Sequence, residues 1–275
     1  MKNSKVSSRG GCASGAKTQK EKVQVKIKNF LLLTCIFTFL LLPFDFAYAI
    51  RPLYTEDCWV TTAGKPAIET GGLLLSSRND TGYKEIVTSL KYGLNKSVDI
   101  SIDLPYFSAG SYSENYDGLS DGTFKIKYNP YNNNECEGVS FLLGYMVNTG
   151  DPNNANLSTS QHDITTMFIY SKDVGEFNYH LNFGYTFDDN PVRSDAEDFI
   201  IYNASVVKPL NETINVMAET QYNINLLTGS IVHEVAAGFN YTFNKNFILD
   251  AAFGCGLTED SSSSNLAFGA TFLFD

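Results

Sequence analysis

From residue 66 to the end of the chain, apolar and polar residues alternate with a period of two almost without interruption. In 177–187, Phe177, Tyr179, Leu181, Phe183, Tyr185 and Phe187 alternate with Asn178, His180, Asn182, Gly184 and Thr186. In 212–224, Ile214, Val216, Ala218, Tyr222 and Ile224 share one parity, and Asn215, Met217, Glu219, Gln221 and Asn223 the other. The segment 247–257 sets Phe247, Leu249, Ala251, Phe253, Cys255 and Leu257 on one face. The segment 264–274 does the same with Leu266, Phe268, Ala270, Phe272 and Phe274. Successive side chains of a strand point to opposite faces, so this alternation predicts strands with one apolar face. Twelve are predicted: 66–76, 83–94, 97–107, 119–129, 138–148, 162–172, 177–187, 198–208, 212–224, 230–243, 246–257 and 264–274. No stretch of 50–275 sustains a 3.6-residue period, so no helix is expected there.

The connections sort by length. Every second one is mostly short, as at Asn95-Lys96 and Asn244-Lys245, although 130–137 is longer. The others are mostly long and polar, as at 108–118, 149–161 and 188–197, with 225–229 the exception. Short turns at one end and long loops at the other are the pattern of an outer-membrane barrel. A secreted soluble sandwich is the competing reading, and it gives no reason for such sorting. Its exposed face would also be rich in Lys, Glu and Thr, whereas the polar parity here is mainly Asn, Gly, Ser, Thr and Gln. Strands of this length suit a tilted crossing of the hydrocarbon layer, and closure satisfies backbone groups that lipid cannot. Aromatic residues near strand ends fit interfacial girdles: Tyr92, Tyr106, Phe107, Tyr128, Tyr170, Phe187, Tyr222, Tyr241, Phe243 and Phe274. The expected fold is therefore all-β, an antiparallel transmembrane barrel of about twelve strands over 66–275.

Charge divides the chain in two. Residues 1–49 carry eight of the 20 Lys and Arg but two of the 30 Asp and Glu, leaving 50–275 with a net charge of −16. The basic start is followed by the apolar run 30–42, then Pro43 and Ala47-Tyr48-Ala49. This is the order of a secretory signal peptide, so 1–49 is expected to be a cleaved leader and Ile50 the first mature residue. An acidic mature chain argues against nucleic acid as a partner. Outer-membrane lipid, a small-molecule solute and the barrel-insertion machinery that reads the last strand are the expected partners. The chain departs from the usual terminal aromatic, since Asp275 follows Phe274.

If the apolar parity faces lipid, the other faces the lumen. The lumen candidates are Glu85, Lys91, Asp99, Asp103, Lys125, Lys127, His180, Glu219, Gln221, Glu234 and Asp250. Lys91, Asp99 with Asp103, and Lys125 with Lys127 fall on successive strands, which suggests a ladder of acids flanked by bases. The segment 50–65, with Glu56, Asp57, Cys58 and Trp59, either folds into the lumen as a plug or hangs in the periplasm. Cys58 and Cys136 fall on the same side, where a disulfide between them is conceivable; Cys255 falls on the lipid face. No Gly-x-Ser-x-Gly occurs, and His162, His180 and His233 have no nucleophile and orienting group placed beside them by sequence. No catalytic, cofactor or metal site is expected, and the protein is read as a non-enzyme.

Particular strings add a resemblance. They are Tyr92-Gly93-Leu94-Asn95-Lys96-Ser97-Val98-Asp99-Ile100 leading to Asp103-Leu104-Pro105-Tyr106, then Gly118-Leu119-Ser120-Asp121 and Thr149-Gly150-Asp151. Asn182-Phe183-Gly184-Tyr185 and Phe268-Gly269-Ala270-Thr271-Phe272 complete the set. In this order, over most of 55–275, they resemble the outer-membrane β-barrel family linked to transport in the meta-pathway of phenol degradation. The resemblance implies a bacterial outer-membrane channel passing small, hydrophobic or aromatic molecules. A barrel with a structural or surface-interaction role and no transport is the alternative.

Overall fold

The computed structural model describes residues 53–76, 82–110, 115–133, 136–151, 154, 157–158, 162–188 and 198–274. The leader expected at 1–49 and the expected mature start at Ile50 lie outside the described residues. The strands, in chain order, are β1 (Pro66–Ser76), β2 (Gly82–Asn95), β3 (Val98–Gly110), β4 (Asn115–Leu119), β5 (Gly122–Asn133), β6 (Glu137–Val147) and β7 (Ile164–Val174). They continue as β8 (Phe177–Phe187), β9 (Phe199–Pro209), β10 (Ile214–Asn225), β11 (Ile231–Asn244), β12 (Phe247–Gly256) and β13 (Ser264–Leu273).

Apart from β4 and β5, which do not pair with each other, consecutive strands pair antiparallel, and β1 pairs with β13, so the sheet closes on itself. The seam runs in continuous register from Ala67 opposite Leu273 to Ser76 opposite Ser264. β4 and β5 are two halves of one stave. β3 pairs with β4 over Tyr106–Gly110 and with β5 over Val98–Asp103. The wall is therefore the expected twelve-stave barrel.

The break between β4 and β5 has a local cause. Pro105 of β3 has no N–H to give a partner, and its carbonyl instead accepts from Ser120 N at 2.9 Å. The Asp121 carboxylate turns away to take Gly150 N and Ser158 Oγ, each at 3.0 Å, and this pins the β6–β7 loop to the break. The expected loop 108–118 is largely extra strand, because β3 and β4 continue as a hairpin. The connection expected at 130–137 likewise shortens, since β5 runs to Asn133 past a bulge between Tyr128 and Tyr131.

Alternation decides which face is which. In β8, Leu181 and Phe183 are about half exposed, at 50% and 51%, while the alternating His180 and Asn182 are buried at 1% and 4%. The same apolar-out arrangement recurs around the barrel, as at Phe141, Leu143, Tyr202, Phe239, Phe253 and Leu266. Such a belt is stable only against hydrocarbon, and the fold is that of an outer-membrane barrel. One girdle assignment is corrected. Tyr106 faces out, so its neighbour Phe107 must face in, where its ring lies 4.8 Å from that of Tyr83.

The short turns are closed by asparagine side chains. Asn95, Asn211 and Asn244 each accept from the backbone N–H two residues on, at 2.8 to 2.9 Å. Gly175 supplies the left-handed conformation (φ 64°) that the β7–β8 turn requires.

Candidate functional site

Residues 53–65 run inside the barrel. The chain leaves the start of β1 at the short-turn end, where Gly64 N donates to Gly93 O at 2.7 Å and Gly93 N to Lys65 O at 3.1 Å. Ala63 forms a parallel bridge with Gly93. Only glycine fits there: a Cβ on Gly93 would stand 2.3 Å from the carbonyl oxygens of Thr61 and Thr62.

From this anchor the segment crosses the lumen, and the wall side chains treat it as an extra strand. Asp99 of β3 accepts from Thr61 N at 2.7 Å and from Thr61 Oγ1 at 3.0 Å. Asn129 of β5 donates to the Cys58 carbonyl at 2.7 Å, Ser140 of β6 donates to the same oxygen, and Ser171 of β7 accepts from Cys58 N at 3.0 Å. Asn182 of β8 grips the peptide group of Glu56, and Glu219 of β10 accepts from Tyr54 N, Thr55 N and Thr55 Oγ1 at 2.8 to 3.1 Å. Buried polar groups need such partners, because each orphaned one costs about 1–3 kcal/mol.

An apolar contact adds to the polar ones. Cys58, Leu142 and Ile169 form a buried cluster against which Trp59 and Met167 pack. Gly138 makes room for it: a Cβ there would lie 2.4 Å from Cys58 Sγ and 2.9 Å from the Trp59 ring. Burial pushes the Cys58 thiol up to about 11. No disulfide joins Cys58 to Cys136. The conceivable pairing is corrected by geometry, since Cys58 is buried against the wall and Cys136 is exposed at the β5–β6 turn.

The acids of the segment meet the bases of the wall. Lys127 Nζ lies 3.0 Å from Glu56 Oε2 and 3.1 Å from the Asp57 carbonyl, and also reaches the Trp59 carbonyl at 3.4 Å. Lys125 Nζ lies 2.6 Å from Asp103 and 3.8 Å from Glu56 Oε1. Burial by itself would raise the Glu56 pKa. Lys127, Lys125 and Lys91 together outweigh it and hold the carboxyl well below the usual carboxylate range. Asp57 goes the other way, because burial and the neighbouring Glu56 outweigh the pull of the lysines.

The expected ladder is rearranged. Asp103 does pair with a base, Lys125. Lys91 instead reaches Glu69 of β1 at 2.8 Å, and Asp99 serves Thr61 although it stands opposite Lys127 in register. Glu69 escaped the sequence reading, although its parity in β1 is that of Ala67, which is buried.

A cavity of about 610 Å³ lies beside the segment. It is lined by Glu85, Lys91, Asp99, Asp103, Lys125, Lys127 and Asp250, all lumen candidates, and extends to Lys245 and Phe274 at the short-turn end. The other candidates also face inward but lie on different parts of the wall. Buried His180 contacts Ser171 Oγ through Nδ1 at 2.8 Å. Glu219 holds the segment, Gln221 stands opposite Glu234, and Glu234 takes Ser262 N at 3.1 Å and Asn265 Nδ2 at 3.0 Å. Among the described residues, no group of three or more His, Cys, Asp or Glu side chains is arranged to hold a metal ion.

A family model described as "Putative MetA-pathway of phenol degradation" matches residues 68–274. No curated protein matches in sequence. Among solved structures, the chain is similar to the KdgM porin, with TM-score 0.54 and 10% identity over 76% of this chain and 99% of that one. It is similar to the NanC porin at TM-score 0.56 and 10% identity, over 75% and 98%. The β domain of the Bordetella autotransporter BrkA gives TM-score 0.50 and 12% identity, over 76% and 99%. At these identities the likeness is one of fold.

Proposed function

The chain belongs to the MetA-pathway phenol-degradation family, and on that premise we propose that it is a passive channel of the bacterial outer membrane for small molecules, aromatic ones among them. The observation that carries this reading is the cavity of about 610 Å³ running beside the inner segment, inside a wall whose outer face is apolar. Its volume falls in the range of small-molecule sites. A lumen of this width suits small solutes and excludes large ones. The inner segment narrows the passage. It is held by exchangeable hydrogen bonds and ion pairs and by one small apolar cluster, so it acts as a plug that solutes pass or displace.

The test is liposome swelling with the purified, folded chain. Small aromatic alcohols and acids should swell the vesicles faster than protein-free controls, and deletion of 53–62 should speed all of them. Swelling no faster than the controls for both proteins would support the alternative, a barrel with a structural or surface role.

A further inference from the structure

Lys127 is an unusual wall residue. Among the described residues its polar contacts are all with the inner segment: the Glu56 and Asp57 carboxylates at 3.0 and 3.9 Å and two backbone carbonyls. Asp99, which faces it across the β3–β5 pair, is engaged by Thr61. Lys125 divides itself between Asp103 and Glu56. A lysine ammonium is a compact charge that accepts any carboxylate brought within reach. The segment therefore supplies the carboxylates within ion-pair distance of Lys127, while Asp99 of the wall acts on it from the facing register position.

We infer that Glu56 occupies a binding site for the carboxylate of a small solute, and that Lys127 and Lys125 take a monocarboxylic acid in its place. This deepens the channel reading and rests on it. Three observations shape the ligand. The cavity touches both lysines and Glu56, so a solute in it arrives beside the ion pair. Its lining also holds Leu73, Val87 and Leu142, which suit an apolar body behind the carboxylate. Glu85, Glu219, Glu234 and Asp250 also face inward and disfavour a second negative group, while Lys91, a further base of the lining, is already paired with Glu69. The exchange keeps the lysines paired throughout, since one carboxylate replaces another. The Glu56 backbone stays on the neutral Asn182, so the side chain can let go while the segment remains docked.

The probe is benzoate, with benzyl alcohol as the same ring without the charge, titrated calorimetrically into the folded full-length chain. Glu56→Gln should bind benzoate at least tenfold more tightly than the native chain, and Lys127→Gln at least tenfold more weakly. Lys127→Arg should restore binding, and benzyl alcohol should not discriminate among the proteins. If Lys127→Gln yields no heat-shifted band on a detergent gel, Lys125→Gln replaces it. Equal affinity for benzoate and benzyl alcohol, or no gain in Glu56→Gln, overturns the site. Benzoate binding without any vesicle swelling would retain the site and refute the channel; swelling with neutral solutes and no benzoate binding would do the reverse.

Discussion

Asn182 holds the peptide group of Glu56 from both sides: Glu56 N donates to Oδ1 at 2.7 Å, and Nδ2 donates to the Glu56 carbonyl at 2.8 Å. A wall side chain thus makes the two bonds that a neighbouring strand would make. Asn182→Ala leaves both groups without their partner, at about 1–3 kcal/mol for each orphaned group. Trp59 is the one tryptophan of the sequence and lies in the inner segment, so its fluorescence reports docking directly. Acrylamide should quench Trp59 more strongly in Asn182→Ala, whereas the barrel's heat-shifted gel band should be unchanged. Unaltered quenching would show that this grip is dispensable.

Gly93 and Gly138 should act as notches for the segment. Gly93→Ala sets a methyl 2.3 Å from two backbone carbonyls, which cannot be relieved by a side-chain rotation. Trp59 quenching should rise. Gly138→Ala collides with Cys58 Sγ and the Trp59 ring, and adding Cys58→Ala removes the closer clash. The double variant should therefore recover part of the docking that Gly138→Ala loses, a coupling that a double-mutant cycle measures.

The pH dependence has two opposed parts. A free Glu titrates at about 4.3 and a free Asp at about 3.9. Glu56 is held below its free value, so its contribution to docking is complete above that value and is lost as pH falls toward the docked pKa. Asp57 is raised by burial, so protonating it favours docking, and its charge opposes docking once pH is above the raised value. Titrating from neutral toward acid, Trp59 quenching should first fall and then rise. Asp57→Asn should abolish the fall and tighten docking at pH 7; Glu56→Gln should abolish the rise and loosen it.

The outer face gives a prediction independent of the lumen. Leu181 is half exposed near the middle of β8. Leu181→Arg should destabilise the inserted barrel by about 2–4 kcal/mol, the cost of a basic residue at mid-membrane depth. Urea unfolding from lipid vesicles measures it. A change within error would contradict the assignment of this face to lipid.

The barrel was legible because its signal is repeated in nearly every strand. Phe177 to Phe187 and Phe247 to Gly256 alternate cleanly, and the parity opposite their Phe and Leu residues is the buried one. The β4–β5 break was hidden because it follows from Pro105 across the ladder and not from the residues that part. Glu69 was hidden by its setting, a strand whose Gly-Gly and Leu-Leu-Leu runs break the alternation. For 53–65 the sequence left a lumen plug and a periplasmic tail as open alternatives and gave no path. A segment that borrows side chains from β3, β5, β6, β7, β8 and β10 has no period of its own. The Lys127 contact with Glu56 joins residues far apart in sequence, and only closure of the wall brings them together.

Single-channel recording in planar bilayers tests the central claim most directly, with the full chain compared against the chain lacking 53–62. The full chain should conduct weakly, and the deletion should conduct several-fold more, because the lumen loses the segment while the wall keeps its closing β1–β13 seam. Equal conductance in the two proteins, or none in either, would contradict a channel narrowed by its own N-terminal segment.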